Sequence, residues 1–175
     1  KDGGYVMDRT VQTLMGTFGM TDYLMPMVLE DLTDADALRR ARGAEGPSIA
    51  WTVGHLLHYR LQVMSLLGGS PRENPYEEAF GRADATEGSE YPSVADLLQQ
   101  WDTIAQDFRA VMDSKSDEDF DGPGSGAHSE RSLRDQVAFF AWHEGYHMGA
   151  IGAQLKAMGY LGPAEKVMAA RRKSG

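Results

Sequence analysis

Apolar side chains recur at every third or fourth position along most of the chain, and this spacing predicts long helices with one buried face. The first helix is predicted over residues 6–31. Its apolar stripe, which continues just past the helix end, comprises Met7, Val11, Leu14, Met15, Phe18, Leu24, Met27, Val28 and Leu32. Pro26 lacks a backbone N–H, so we expect a kink in this helix.

The second helix is apolar on almost every side. Ser48 is suited to be its N-cap, and the helix is predicted from about Ile49 to Leu67. The glycine pair that follows, residues 68 and 69, ends it. A helix without a polar face is buried on most sides, which predicts a place in the middle of a bundle.

The third long helix begins at a capping signal. Ser93 precedes Asp96 by three residues, which is the spacing of a capping box, and the predicted helix continues to about Met112. The linker before it, residues 68–92, is rich in Gly, Pro, Ser and charge. At ~3.3 Å per residue it can travel the length of a ~30 Å helix. The second and third helices can therefore run parallel.

The fourth long helix follows a loose linker over residues 114–132. Ser132 and Asp135 repeat the capping signal, and the predicted helix continues to about Met158. A short closing helix is predicted over residues 163–172, because proline suits a first helical position.

Strand signals are nearly absent, since β-branched residues are scattered and no Asn-Gly or Asp-Gly turn joins two alternating runs. A length of 175 residues suits one domain. The pattern predicts a single all-α domain over residues 1–175 with its core at 6–159. Residues 1–5 are set aside as flexible or as an expression remnant.

Composition excludes several classes of partner. The net charge is −9, and the basic run at the chain terminus, Arg171–Lys173, is short, so we expect no nucleic-acid partner. No apolar run approaches the ~20 residues that span a bilayer, and no secretion signal opens the chain, so we expect no membrane contact and a cytoplasmic location. Cysteine is absent, so any metal site must use His, Asp or Glu.

Three histidines are the candidate chemistry. His143 and His147 are four residues apart, so both rings lie on one face of the fourth helix and can reach one metal ion. His55 points inward from the second helix. Three such imidazoles form a set that leaves metal positions open for water or substrate. The alternative is three hydrogen-bonded core histidines, each costing about 1–3 kcal/mol if unpartnered.

Two motifs carry a family resemblance: SIAWTVGHLLHYR at residues 48–60 and WHEGYHMGAIGAQLKAMG at residues 142–159. They resemble the DinB-like superfamily of bacterial metal-binding bundles. The resemblance implies a four-helix bundle of up-down-down-up topology, often a homodimer, with His55, His143 and His147 as ligands of zinc, nickel or manganese. It also implies transferase or isomerase chemistry with a low-molecular-weight thiol, although many members have no established reaction.

Other polar residues near these motifs keep alternative roles open. His58 is interpreted as a surface or interface histidine. For His128, in the Gly-rich linker, the alternative to a plain linker residue is a fourth ligand or proton donor that folds over the metal. HEGYH also fits the zincin pattern of a metallopeptidase, in which Glu144 would be the general base and Glu165 a third ligand. We instead expect Glu144 in a solvated salt bridge at the margin of the site, with a catalytic role still open.

The predicted function is a metal-dependent transferase or hydrolase that activates water or a thiol for attack on a small-molecule substrate. The alternatives are a non-catalytic metal-dependent binding or stress-response module and a homodimer scaffold with a vestigial site. Four aromatic residues are expected either to wall the pocket or to pack in the core: Trp51, Phe140, Trp142 and Tyr146. Arg60 and Lys156 are interpreted as surface residues.

Overall fold

A computed structural model describes residues 9–43, 45–69, 73–81, 91–126 and 129–174, the side chain of residue 174 excepted. Within these ranges the chain forms eight helices and one hairpin. The elements in chain order are α1 (Arg9–Leu29), α2 (Asp34–Ala37), β1 (Arg40–Arg42), β2 (Glu45–Ser48), α3 (Ile49–Leu66), α4 (Glu77–Phe80), α5 (Val94–Asp113), α6 (Asp117–Asp121), α7 (Leu133–Ala157) and α8 (Pro163–Ser174). The expected flexible opening, residues 1–5, lies outside the described residues.

Four long helices enclose one hydrophobic core. α1 and α3 each pack against both α5 and α7. α3 is buried almost all round, including its polar positions His55, His58 and Arg60. The all-α fold class and the central position of this helix are therefore confirmed.

Contacts between helix ends agree with the expected helix directions. The backbone N–H of Thr10, at the start of α1, donates to Asp117 just beyond the end of α5, at 2.8 Å. Val94, at the start of α5, donates to Asp34 beyond the end of α1. α1 and α5 therefore run antiparallel. Gly69 lies against Val111, so α3 and α5 end at the same side. The complete up-down-down-up order stays a prediction.

The predicted starts of α3, α5 and α7 are accurate because each has a local cause. The side chains of Ser48, Ser93 and Ser132 accept from the third residue of their helices, each at 3.1 Å. α1 continues through Pro26 to Leu29.

The hairpin β1–β2 corrects the expectation that strands are absent. Its two short strands pair Arg40 with Ser48 and Arg42 with Glu45. Gly43 has φ +66° and Gly46 φ +78°, values that glycine adopts without strain. Gly43 follows β1 and Gly46 lies within β2, so no Asn-Gly pair marks the hairpin, and the strands are too short to show an alternating pattern.

Both long linkers contain a short helix that a loose linker was not expected to form. α6 has a capping box between Ser116 and Asp119 and buries Phe120 completely. α4 buries Phe80 against the bundle. Each of these helices is held by one aromatic side chain, which is too little apolar content for a periodic signal. No described helix is both long and apolar enough to cross a membrane.

Candidate metal centre

Three histidines from two helices meet in the bundle. α3 supplies His55, and α7 supplies His143 and His147 from consecutive turns of one face. One nitrogen of each ring lies within 4.8 Å of the corresponding nitrogens of the other two. His55 is buried, whereas the other two rings are half-buried, so the group is reached from outside along α7.

The spacing of the ring nitrogens matches that of ligands on one ion. The Nε2 atoms of His143 and His147 are 3.0 Å apart. An ion with nitrogen bonds of about 2.0–2.1 Å holds neighbouring nitrogens roughly 3 Å apart. The buried Nδ1 of His143 has no hydrogen-bond partner among the described residues. The donor set and its spacing therefore fit a divalent ion that accepts imidazole nitrogen.

His55 is oriented by the backbone of α4. Its Nδ1 lies 2.7 Å from the carbonyl oxygen of Phe80, which can only accept a hydrogen bond. The proton is therefore on Nδ1, and the lone pair of Nε2 remains available to a ligand. Histidine ligands of metals are commonly held in this way by a carbonyl or carboxylate behind the ring. The ring of Trp51 stacks on His55 at a centroid distance of 4.5 Å.

Gly54 leaves the space in which the Phe80 ring packs against α3. A Cβ at residue 54 would lie 2.5 Å from the Phe80 ring, so only glycine leaves room for it. Sequence reasoning missed both residues. The available signal is Gly54 itself, because glycine inside a helix costs about 1 kcal/mol relative to alanine and implies a close approach.

Burial keeps the three rings neutral. It lowers the pKa of His143 to about 4, with a smaller contribution from His55. It lowers the pKa of His147 to about 3, and the two neighbouring histidines lower it further. The pKa of His55 is also lowered by burial, although the Phe80 carbonyl partly offsets this effect. At neutral pH each ring therefore offers a lone pair, as metal ligation requires.

A family model described as the DinB superfamily matches residues 20–151. The chain belongs to the DinB superfamily. The match includes all three histidines and most of the bundle, so the resemblance carried by the two motifs is confirmed. A search of curated proteins finds no match.

His58 is not the surface histidine that was expected of this DinB-superfamily chain. It is buried, with Nδ1 2.9 Å from the side-chain amide of Asn74 and Nε2 2.9 Å from that of Gln62. Both ring nitrogens therefore face amide groups, away from the three-histidine group. His55 and His58 are therefore about one turn of α3 apart but have different roles. His58 binds Asn74 in the segment that leads into α4, whereas His55 has a ring nitrogen available to an ion.

Glu144 corrects a second expectation. It is buried, and its two oxygens accept from Nε and Nη2 of Arg60 at 2.6 and 2.8 Å. Arg60, interpreted as a surface residue, is only 1% exposed and also donates to Asp22 at 2.5 Å. The guanidinium lies over the rings of Trp101 and Phe108 of α5, at 4.1 and 5.3 Å from their centres. Glu144 therefore joins α7 to α3 and is not a solvated side chain.

The zincin interpretation does not fit this geometry. Glu165, its nominal third ligand, forms an exposed ion pair with Lys156 at 2.6 Å. The third histidine of the group is His55, which takes the place expected for Glu165. The expected general base, Glu144, accepts hydrogen bonds from Arg60. His128 lies outside the described residues.

The aromatic residues divide between core and surface. Trp51 is buried beside His55, and Phe140 is half-buried against Tyr59. Tyr59 also packs on the rings of His55 and His143, at centroid distances of 4.7 and 5.0 Å. Trp142 and Tyr146, expected in the pocket wall or the core, are each 61% exposed.

Proposed function

We propose that this protein binds a divalent metal ion through His55, His143 and His147 and uses it in a transferase or hydrolase reaction on a small molecule. The convergence of the three ring nitrogens within 4.8 Å carries this proposal. The hydrogen bond from His55 to the Phe80 carbonyl supports it, because it frees Nε2 for the ion.

The roles of the chain's residues follow from their positions. The three imidazoles would hold the ion, and three protein ligands would leave coordination positions free for water or a low-molecular-weight thiol. A bound divalent ion lowers the pKa of such a ligand toward neutrality and makes it a nucleophile. Trp51 and Tyr59 cover His55 and limit the water that reaches its ring. Neutral nitrogen ligands favour zinc, nickel or another late transition metal over magnesium or calcium.

The charge pattern around the histidines favours an uncharged substrate. Arg60 is the only Lys, Arg, Asp or Glu in α3, and it is occupied by Glu144 and Asp22. Glu144 is the only such residue between positions 136 and 155 of α7. Along these stretches a polyanionic substrate or cofactor would find no free cation, and the cations at the two ends of α7, Arg134 and Lys156, form ion pairs with Asp121 and Glu165.

Elemental analysis of the purified protein tests the ligand set. We expect a stoichiometric divalent metal in the wild type and little in His55→Ala and His147→Ala, because each variant loses one of three nitrogen ligands. His58→Gln is the matched control, since it removes a histidine of the same helix that faces away from the group. Equal metal content in wild type, both alanine variants and the control would refute the proposal.

Catalysis is tested separately from binding. A metal-dependent enzyme should convert an uncharged electrophile with thiol or water, lose this activity on chelation and regain it when the metal is restored. A non-catalytic binding module should lose only thermal stability on chelation. Absence of turnover across a panel of thiols and electrophiles, with metal bound, would favour the binding module.

A further inference from the structure

The phenol ring of Tyr59 borders the histidine group. Its centroid lies 4.7 Å from that of the His55 ring and 5.0 Å from that of the His143 ring. These two histidines belong to different helices, so the phenol ring lies in the gap between α3 and α7 where the proposed ligands meet. Tyr59 therefore contacts two of the three proposed ligands without being one of them.

Helix geometry sets the direction of the Tyr59 side chain. Tyr59 follows His55 by four residues, so both side chains lie on one face of α3. Long side chains of a helix lean toward its N-terminus, which here carries the phenol ring over His55. The hydroxyl group is at the far end of this ring. It therefore extends toward the histidine group and away from the C-terminal turn of α3.

Four ring neighbours hold the phenol ring in place. Besides the two proposed ligands, Phe140 lies 5.3 Å and His58 4.9 Å from it, measured between ring centroids. His58 is itself fixed, because its two ring nitrogens contact the side-chain amides of Asn74 and Gln62. The orientation of the phenol is thus set before any ligand arrives. Such preorganisation is what makes a hydrogen-bond donor effective in catalysis.

The hydroxyl group of Tyr59 has no role in the fold. It has no hydrogen-bond partner among the residues that the structure describes. The hydroxyl of Tyr160, by contrast, donates to Asp36 at 2.7 Å. Phenylalanine would pack against the same four rings, so packing does not account for the oxygen atom. Because the side chain is only half-buried, its hydroxyl remains accessible to a molecule that enters the site.

We propose that Tyr59 is a catalytic residue whose hydroxyl donates a hydrogen bond to an oxygen atom of the substrate at the histidine group. This role rests on the proposed function, because it takes the metal site as given. It also names the substrate class, an uncharged carbonyl compound. As the electron pair of the nucleophile forms the bond to the carbonyl carbon, the π pair of the C=O bond moves onto the oxygen. Tyr59 stabilises that charge and keeps its own proton.

The surroundings of the site make a neutral donor important. Arg60 is the only Lys or Arg of α3, and its guanidinium is occupied by Glu144 and Asp22. Negative charge that develops on the substrate therefore depends on the ion and on neutral hydrogen-bond donors. Trp51, one turn before His55, carries another such donor, but its indole nitrogen is buried and out of reach of a ligand. Tyr59 has the accessible one.

Binding of acetohydroxamate to the zinc-loaded protein tests this hydrogen bond without requiring turnover. The oxygen anion of this probe resembles a carbonyl oxygen that has gained charge. We expect Tyr59→Phe to bind zinc like the wild type, because the ring is kept and no ligand is lost. Its affinity for acetohydroxamate should fall about tenfold, the effect of losing one hydrogen bond to a charged group. Calorimetric titration measures both affinities.

Tyr146→Phe is the matched control. It removes the hydroxyl of a tyrosine that also packs on a proposed ligand, His147, at a centroid distance of 5.1 Å. Tyr146 is 61% exposed and contacts the group from the outer surface of α7, so its hydroxyl is not expected to reach the bound probe. Both affinities of this variant should equal those of the wild type.

Ethanethiol serves as a second probe, and its affinity should fall by less than about twofold in Tyr59→Phe, because sulfur is a weak hydrogen-bond acceptor. An equal loss for both probes would overturn the proposal, since it would show a distorted site and not a missing hydrogen bond. Unchanged acetohydroxamate affinity in zinc-loaded Tyr59→Phe would also overturn it, while leaving the metal site intact. A wild type that binds no zinc would refute the proposed function itself, and the role of Tyr59 with it.

Discussion

The helices α5 and α7 are both long and both pack against α1 and α3, yet they distribute polar side chains differently. α5 buries Trp101 and Phe108 and exposes charged side chains, among them Asp102 and Arg109. α7 buries Gln136 and Glu144, holds two histidines at the site and exposes Trp142 and Tyr146. The first helix has the ordinary amphipathic pattern. The second also buries apolar side chains, but it adds polar groups inside and large apolar groups outside.

The difference shows what each helix contributes. α5 stabilises the fold through apolar burial. The inward polar groups of α7 would cost stability if they were unpaired, and most have a partner within the chain. Gln136 exchanges two hydrogen bonds with the backbone of Ser125, and Glu144 binds Arg60. The histidines are the exception, since an ion is the partner that their spacing fits. Two of the three candidate ligands therefore lie on α7, the helix that departs from the ordinary amphipathic pattern.

Arg60 connects the two helices, and its removal should have the largest effect on stability. Its guanidinium lies 4.1 Å from the ring centre of Trp101 on α5 while it binds Glu144 on α7. We expect Arg60→Ala to lower the free energy of unfolding by about 3–5 kcal/mol, because a buried carboxylate loses its partner. Urea denaturation measures this value.

The double variant Arg60→Met/Glu144→Leu serves as the control for that experiment. It removes the two buried charges and keeps the volume, while Asp22 retains Arg109 at 3.6 Å, so most of the lost stability should return. If the double variant is as unstable as Arg60→Ala, packing of the guanidinium matters more than its charge. The buried face of α7 would then be stabilised mainly by packing, as is the buried face of α5.

Gly54→Ala should have an intermediate effect that extends to the metal. The new methyl group would push the Phe80 ring away, at a cost of about 1–3 kcal/mol from overpacking. The Phe80 carbonyl would move from His55, which should weaken metal binding by about 10–100-fold. Calorimetric titration with zinc measures this loss.

Two further variants make that test specific to the contact between residue 54 and the Phe80 ring. Phe80→Leu in the Gly54→Ala background should recover part of both losses, because a smaller side chain fits over alanine. Gly19→Ala should raise stability by up to about 1 kcal/mol, since a Cβ there meets nothing within 4 Å. Unchanged zinc affinity in Gly54→Ala would show that the Phe80 carbonyl does not position His55.

Trp142→Ala should have the smallest effect. At concentrations where the chain is monomeric we expect a change of no more than about 0.5 kcal/mol, because the ring is 61% exposed. Trp101→Ala, on α5, should cost about 3–5 kcal/mol. Chemical denaturation of both variants compares the same residue on the two helices. A loss above about 2 kcal/mol for Trp142→Ala would show that the outside of α7 is packed within the chain.

The helix starts and the histidine group could be predicted for different reasons. Ser48, Ser93 and Ser132 act on backbone groups three residues away, so the signal is entirely local. The pairing of His143 with His147 is also local, because one helical turn separates them. The direction of His55 follows from the periodicity of its helix, and the family resemblance added that it meets the other two.

Sequence alone therefore determined which long segments are helical, where α3, α5 and α7 begin and that His55, His143 and His147 face inward, because these properties depend on neighbours within a turn. Only the tertiary structure decided the carbonyl of Phe80 behind His55, the burial of His58 and the pairing of Glu144 with Arg60. Each of these depends on segments 16 to 84 positions apart. The sequence spacing of apolar residues does not reveal which backbone carbonyl or which distant side chain will pair with a buried polar group. These pairs are decided by how the helices pack together.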